Sequence, residues 1–195
     1  MNYLGHIYLS GYNEAGMIGN FIGDHVKGKG YLNYPSEIQK GILLHRKIDL
    51  FTDTNLNWQN IRERIRPVYK RYSGVVADLF VDHFLALHWY DFRGIKLNND
   101  AKWAYAVMLK NINVLPQSVQ QFIPYLIQHR RLQSYATIEG IETSIRIMAL
   151  RTSLPDHTND GIALLRTAYS LIENYALSLI EDATKEFLPP KGMIL

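Results

Sequence analysis

The stretch VVADLFVDHFLALHWYDF, Val75–Phe92, is apolar almost all the way round a helical wheel. A helix without a polar face belongs inside a protein, so this segment predicts a central helix, with Gly74 and Gly94 marking its limits. Its polar residues are therefore the informative ones. An isolated ionised carboxylate in an apolar interior costs several kcal/mol or more, so it is neutralised, paired or bound to a metal. Asp78 and Asp82 are spaced i, i+4, and His83 follows Asp82 directly. Neighbours on a helix diverge by about 100°, so one ion takes both Asp82 and His83 only if it lies between their directions. His88, five residues further on, reads as a histidine packed in the core.

Two upstream segments repeat the pattern. In GILLHRKIDLFTD (Gly41–Asp53), His45, Asp49 and Asp53 stand at i, i+4 and i+8 and so line one helix face. Apolar positions 38, 42, 43/44, 48, 50 and 51 predict a buried helix over Ile38–Phe51, opened by Pro35-Ser36-Glu37. Arg46 lies beside the polar stripe, within reach of Asp49 or Asp53. A surface salt-bridge ladder is the other reading of these residues. In GNFIGDHVKG (Gly19–Gly28), Asn20, Asp24 and Lys27 share a stripe and Gly28 is placed to cap the helix. Lys27 can meet an anionic substrate or simply face solvent. His6, in Tyr3–Leu9, taken alone reads as a hydrogen-bonded core histidine. Buried polar groups in several separate segments point to one shared centre, and a divalent metal is the simplest way to hold them together.

The rest of the chain is also helical in period. Helices are expected over Ala101–Leu109, from Pro116 to Leu132 with a kink at Pro124, over Thr137–Leu150, and over Gly161–Phe187 ending at Pro189-Pro190. No alternating strand pattern or hairpin dipeptide occurs. The expected fold is all-α, one domain over residues 1–195 with about seven to nine helices. The 195 residues are 47% hydrophobic and 20% charged, a globular composition that excludes a disordered chain. Cysteine is absent, which excludes disulfides, thiolate zinc sites and a cysteine nucleophile and suits a cytoplasmic location. Neither a signal peptide nor an apolar run of about 18 residues is seen, so no membrane partner is expected. The net charge of +3 is partly concentrated in Arg62, Arg64, Arg66, Lys70 and Arg71, with Arg130 and Arg131 as a smaller group. These are solvated helix faces or a docking surface. No nucleic-acid motif, phosphate-binding loop or serine-nucleophile motif accompanies them.

The blocks YLGHIYLS, GNFIGDHVKG, GILLHRKIDLFTD and DHFLALHW together resemble, in order and spacing, the bacterial acyl carrier protein phosphodiesterases. Looser similarity continues in YLIQHRRLQSY (Tyr125–Tyr135) and RIMALR (Arg146–Arg151). Adjacent His and Asp ligate metals in the helical HD phosphohydrolases, to which this family is similar. The resemblance implies an HD-like helical fold and a divalent cation, usually manganese, with magnesium the other candidate. It implies hydrolysis of the phosphodiester joining 4′-phosphopantetheine to the serine of acyl carrier protein. The matching positions are His6, Asp24, His45, Arg46, Asp49, Asp53, Asp82 and His83. Of these, Asp24, His45, Asp82 and His83 are expected as metal ligands. His6, Asp49 and Asp53 are expected to orient ligands or the attacking water, and Arg46 to lie near the phosphate or in an ion pair; Lys27, outside the matched positions, is the other candidate to meet the substrate. Gly5, Tyr8 and His25 depart from the family pattern. Another metal-dependent phosphohydrolase and a non-enzymatic helical binding protein are the alternatives, and the oligomeric state stays open.

Overall fold

The Val75–Phe92 stretch forms α5 (Ser73–Leu87), and eleven of its fifteen residues are buried in the computed structural model, which describes residues 1–189. Before it along the chain come α1 (Tyr3–Leu9), α2 (Glu14–Phe21), α3 (Ser36–Thr54) and α4 (Leu56–Tyr69). After it come α6 (Trp89–Arg93), α7 (Leu97–Lys110), α8 (Gln117–Gln128), α9 (Arg131–Ser134), α10 (Ile138–Arg151), α11 (Thr158–Thr167) and α12 (Tyr169–Phe187). There is no strand among the described residues. Helix α5 packs on α1, α4, α10 and α12, which makes it the axis of the core.

Among the described residues, eight of the twelve α-helices have ten or more residues, and the other four are shorter. The extra segments arise where long apolar patterns are broken. One break falls at His88, between α5 and α6, where the imidazole leaves the core and bonds Glu173 of α12 at 2.8 Å. It is half-buried, not the packed core histidine expected from its neighbours. Another break falls at Ala168, dividing the predicted Gly161–Phe187 helix into α11 and α12. The segment predicted to run from Pro116 to Leu132 stops at Gln128. Arg130 adopts a left-handed conformation (φ 47°) that turns the chain before α9. Pro124, in contrast, is accommodated inside α8 on its exposed side. Pro190 lies outside the described residues.

The contact that positions the site is between α2 and α3. A Cβ on Gly19 would lie 2.1 Å from the Ile38 carbonyl oxygen, and one on Gly41 would lie 2.2 Å from that of Gly16. The two backbones therefore touch directly, which only glycine permits at this crossing. Helix α2 then gives way to a 3₁₀ turn at Gly23–His25, so Asp24 lies on a turn and not on a continuing helix. Gly28, expected to cap that helix, sits beyond the turn with φ 54°.

Candidate metal centre

Because α2 and α3 lie backbone to backbone, Asn20 on one helix meets His45 on the other. The Asn20 main-chain carbonyl accepts a hydrogen bond from His45 Nδ1 at 2.8 Å, and its side-chain Oδ1 accepts one from His6 Nδ1, also at 2.8 Å. The Asn20 amide is held in that orientation because its Nδ2 donates to the His6 carbonyl and to Ser10 Oγ, each at 2.9 Å. Both acceptors are carbonyl oxygens, so the proton of each neutral imidazole belongs on Nδ1 and the lone pair on Nε2. Fixing one ring nitrogen by a carbonyl so that the other is free is the usual support of a metal-ligating histidine.

The two imidazoles stack with centroids 4.0 Å apart and present their Nε2 atoms to one carboxylate. Asp49 Oδ1 lies 3.3 Å from His6 Nε2, and Asp49 Oδ2 lies 3.1 Å from His45 Nε2. Asp24 Oδ1 is 3.5 Å from the same His45 nitrogen. His6 Nε2 is also 3.1 Å from the Met1 carbonyl. His6, His45 and Asp49 each offer a ligand atom, and these atoms lie within 4.8 Å of one another. His45 Nε2 is buried and completes no hydrogen bond. A buried, outward-aimed imidazole nitrogen facing carboxylates fits a cation, and the mixed nitrogen and oxygen donors are those of a metal site.

The charges are consistent with that fit. Burial lowers the His6 pKa, so this ring is neutral near pH 7. Burial also works against protonated His45, but the carboxylates of Asp24 and Asp49 outweigh it and push its pKa to about 9. Desolvation opposes the charge on Asp49, yet the two imidazoles hold its carboxyl well below the usual range. The His45 imidazole likewise lowers Asp24. Beside this group opens a cavity of about 210 Å³ lined by Asp24, Asp49, Asp53, Asp78, Thr52 and Met1. Four carboxylates around this space, Asp24 and Asp53 of them exposed to solvent, favour a positive charge nearby. The Met1 amino group provides some at one side, 3.0 Å from Asp78 Oδ1.

The expected site residues thus separate. His6, Asp24, His45 and Asp49 come together, and Asp53 lines the adjoining cavity. Asp82 does not join them. Its carboxylate is fully buried and accepts the main-chain N–H groups of Asn2, Leu4 and Gly5 at 3.3, 2.8 and 3.1 Å, so it closes the amino end of α1. Burial raises its pKa to about 7, against the pull of those donors. His83 points elsewhere too, with Nδ1 2.8 Å from the Tyr135 carbonyl and Nε2 2.9 Å from the Tyr169 hydroxyl. Their directions diverge as adjacent helical residues must, and each side chain is satisfied by separate protein partners. Arg46 donates to the carbonyls of Val26 and Gly28 at 3.0 and 2.7 Å, bracing the turn that carries Asp24 and not forming the expected ion pair. Lys27 is exposed on that turn and lines neither this cavity nor the one beside it. Asn20 and Asp78 were not singled out as site residues. Asn20 carried a usable signal, since it is an amide in an apolar helix one turn before Asp24.

Residues 1–183 match the family model described as acyl carrier protein phosphodiesterase. An acyl carrier protein phosphodiesterase of Klebsiella pneumoniae is 31% identical over 177 residues, covering 89% of this chain and 90% of that one. One from Yersinia pestis is 30% identical over 190 residues, covering 97% and 94%. No solved structure matches the chain. With a single family model spanning nearly its whole length and relatives matched almost end to end, the chain belongs to the acyl carrier protein phosphodiesterase family.

Proposed function

We propose that this chain is a metal-dependent phosphodiesterase that releases 4′-phosphopantetheine from the serine of holo acyl carrier protein, acting in the cytoplasm. The observation that carries the chemistry is the pair of buried imidazoles, each tied through Nδ1 to Asn20 and aimed through Nε2 at Asp49. The activity for which the relatives are named supports the choice of substrate. His6, His45, Asp49 and Asp24 would hold a divalent cation, manganese first and magnesium second. When bound, such an ion neutralises phosphoryl charge and acidifies a water.

The remaining steps fall to the chain itself. Asp53 lies on the wall of the same cavity, with its pKa raised by burial and by Asp78. That makes it the carboxylate placed to accept a proton from the attacking water. The carrier would dock on the basic face of α4. Arg62 stacks over Trp58 at 5.5 Å, and the Trp58 indole donates to Asp78 at 2.8 Å, so this face runs up to the cavity rim. Carrier protein is acidic, and complementary charge speeds encounter and fixes orientation.

The test is incubation of the full chain with holo carrier and manganese, read by intact mass. The reading expects loss of the phosphopantetheine mass, and loss of that activity in His45→Ala and Asp49→Ala with helical circular dichroism retained. An unchanged carrier mass at every metal tried would overturn it. Turnover of small phosphodiesters without that loss would favour a different phosphohydrolase.

A further inference from the structure

A second cavity, of about 300 Å³, shares Asp24 with the carboxylate-lined one and runs between α1, α5, α8 and α10. Its wall is largely apolar, with Tyr3, Leu79, Phe122 and Met148 among the lining, but it also contains Arg131. That arginine is 93% buried, being only 7% exposed. Its Nη2 donates to the Gly140 carbonyl at 3.3 Å and to Ser144 Oγ. Among the described residues no carboxylate lies within ion-pair distance of it, and its other guanidinium nitrogens take part in no hydrogen bond between protein groups. A buried cation without a counter-charge is costly and is kept where a ligand supplies the anion. The backbone is bent to put it there. Arg130 takes the left-handed conformation that turns the chain at the end of α8, leaving Arg130 exposed and Arg131 inside. Arg151, lying over the Tyr125 ring, adds a second positive charge at the same cavity.

We propose that this cavity binds the phosphopantetheine side of the phosphodiester, with Arg131 holding the phosphate and the apolar wall holding the pantetheine arm. The assignment rests on the functional reading above and extends it to the substrate group that the catalytic cavity alone cannot seat. Its ligand is an anion at one end and a neutral, partly branched chain beyond it, which matches one guanidinium set in an apolar pocket. The volume is at the small end of small-molecule sites, as a narrow arm requires. Arg131 is on this account a substrate-positioning residue, and the small basic pair at 130 and 131 divides between solvent and site.

The full chain is titrated calorimetrically with 4′-phosphopantetheine, with pantetheine and with inorganic phosphate. Phosphopantetheine is expected to bind at least about tenfold more tightly than pantetheine, the range for a charge-assisted hydrogen bond. Arg131→Gln should abolish that preference while leaving pantetheine affinity unchanged, and Arg131→Lys should restore part of it. Since Arg131 also braces α10, a second variant guards against misfolding. Met148→Trp fills the cavity, removes no hydrogen bond and should weaken both organic ligands. Equal binding of phosphopantetheine and pantetheine overturns the inference. So does a preference that survives Arg131→Gln, or binding indifferent to Met148→Trp. Holo-carrier hydrolysis measured alongside separates the two readings. Arg131-dependent binding without hydrolysis would refute the enzymatic reading and leave the anion site standing. Hydrolysis with an unaltered preference in Arg131→Gln would refute the site alone.

Discussion

Asn20 supports both imidazoles of the centre from one position, His45 through its main chain and His6 through its side chain. Replacing it with alanine keeps the first bond and strands His6 Nδ1, so one ring loses its orientation. Asn20→Ala is expected to cost about 1–3 kcal/mol in urea denaturation, the penalty for an unsatisfied buried donor. Manganese affinity, by calorimetry, should drop about 10- to 100-fold, as for other supports of ligating histidines. A pH dependence follows from the same atoms. The His45 pKa is raised to about 9 in the folded chain, so its ion pairing with Asp49 and Asp24 is fully present below the unfolded value of 6.5. It is lost as pH rises through 9. Thermal denaturation of the metal-free chain should therefore show stability falling between those values, a slope absent from His45→Gln. Manganese must displace the same proton, so its affinity should rise over that window. Residue by residue, spacing in the sequence was enough to group His45 with Asp49, and the structure brings Asp24 to the same imidazole although its side chain is exposed. Asp82 and His83 carried a burial signal but answer a different need. A buried carboxylate is satisfied as well by three helix amides as by a metal, and a buried imidazole by a carbonyl and a tyrosine hydroxyl.

At the level of elements, the centre depends on how closely α2 and α3 approach. A methyl group on Gly19 meets the Ile38 carbonyl, which is backbone and cannot rotate aside. Gly19→Ala should thus push the helices apart, at a cost of about 1–3 kcal/mol typical of overpacking. It should also weaken manganese binding, because Asn20 moves with α2 and His45 with α3. Urea denaturation and calorimetry on the same variant check both effects; a loss of stability with unchanged metal affinity would show that the crossing does not set the ligand geometry. Helical periodicity found the long elements and their buried faces. It did not find the breaks at His88, at Ala168 and at His129–Arg130, where the apolar pattern runs on while the chain turns. At His88 the turn coincides with a tertiary partner, Glu173 of α12, that no local pattern contains.

Across the whole molecule, charge is divided by function. Carboxylates gather at the cavity beside His6 and His45, a single buried guanidinium occupies the neighbouring one, and exposed Arg64, Arg66, Lys70 and Arg71 lie on or just after α4. The sequence showed the basic cluster but not which face of the fold it would share. The link through Arg62, Trp58 and Asp78 places the Arg62 end of the cluster beside the carboxylate-lined cavity, where the proposed reaction would bring the carrier serine. Arg66 is paired with Glu63, so Arg64 is the cleaner probe of docking. Surface charges of this kind act on encounter and are screened over about 8–10 Å at moderate salt. Arg64→Glu should therefore raise KM for holo carrier by about tenfold at low ionic strength and leave kcat unchanged. The difference from the parent chain should shrink as salt is added, while stability shifts by less than about 0.5 kcal/mol, as for an isolated surface change. Steady-state kinetics over a salt series decides it. A KM that ignores both the charge reversal and the salt would place carrier docking on another face, and a drop in kcat would move Arg64 from encounter into the chemistry.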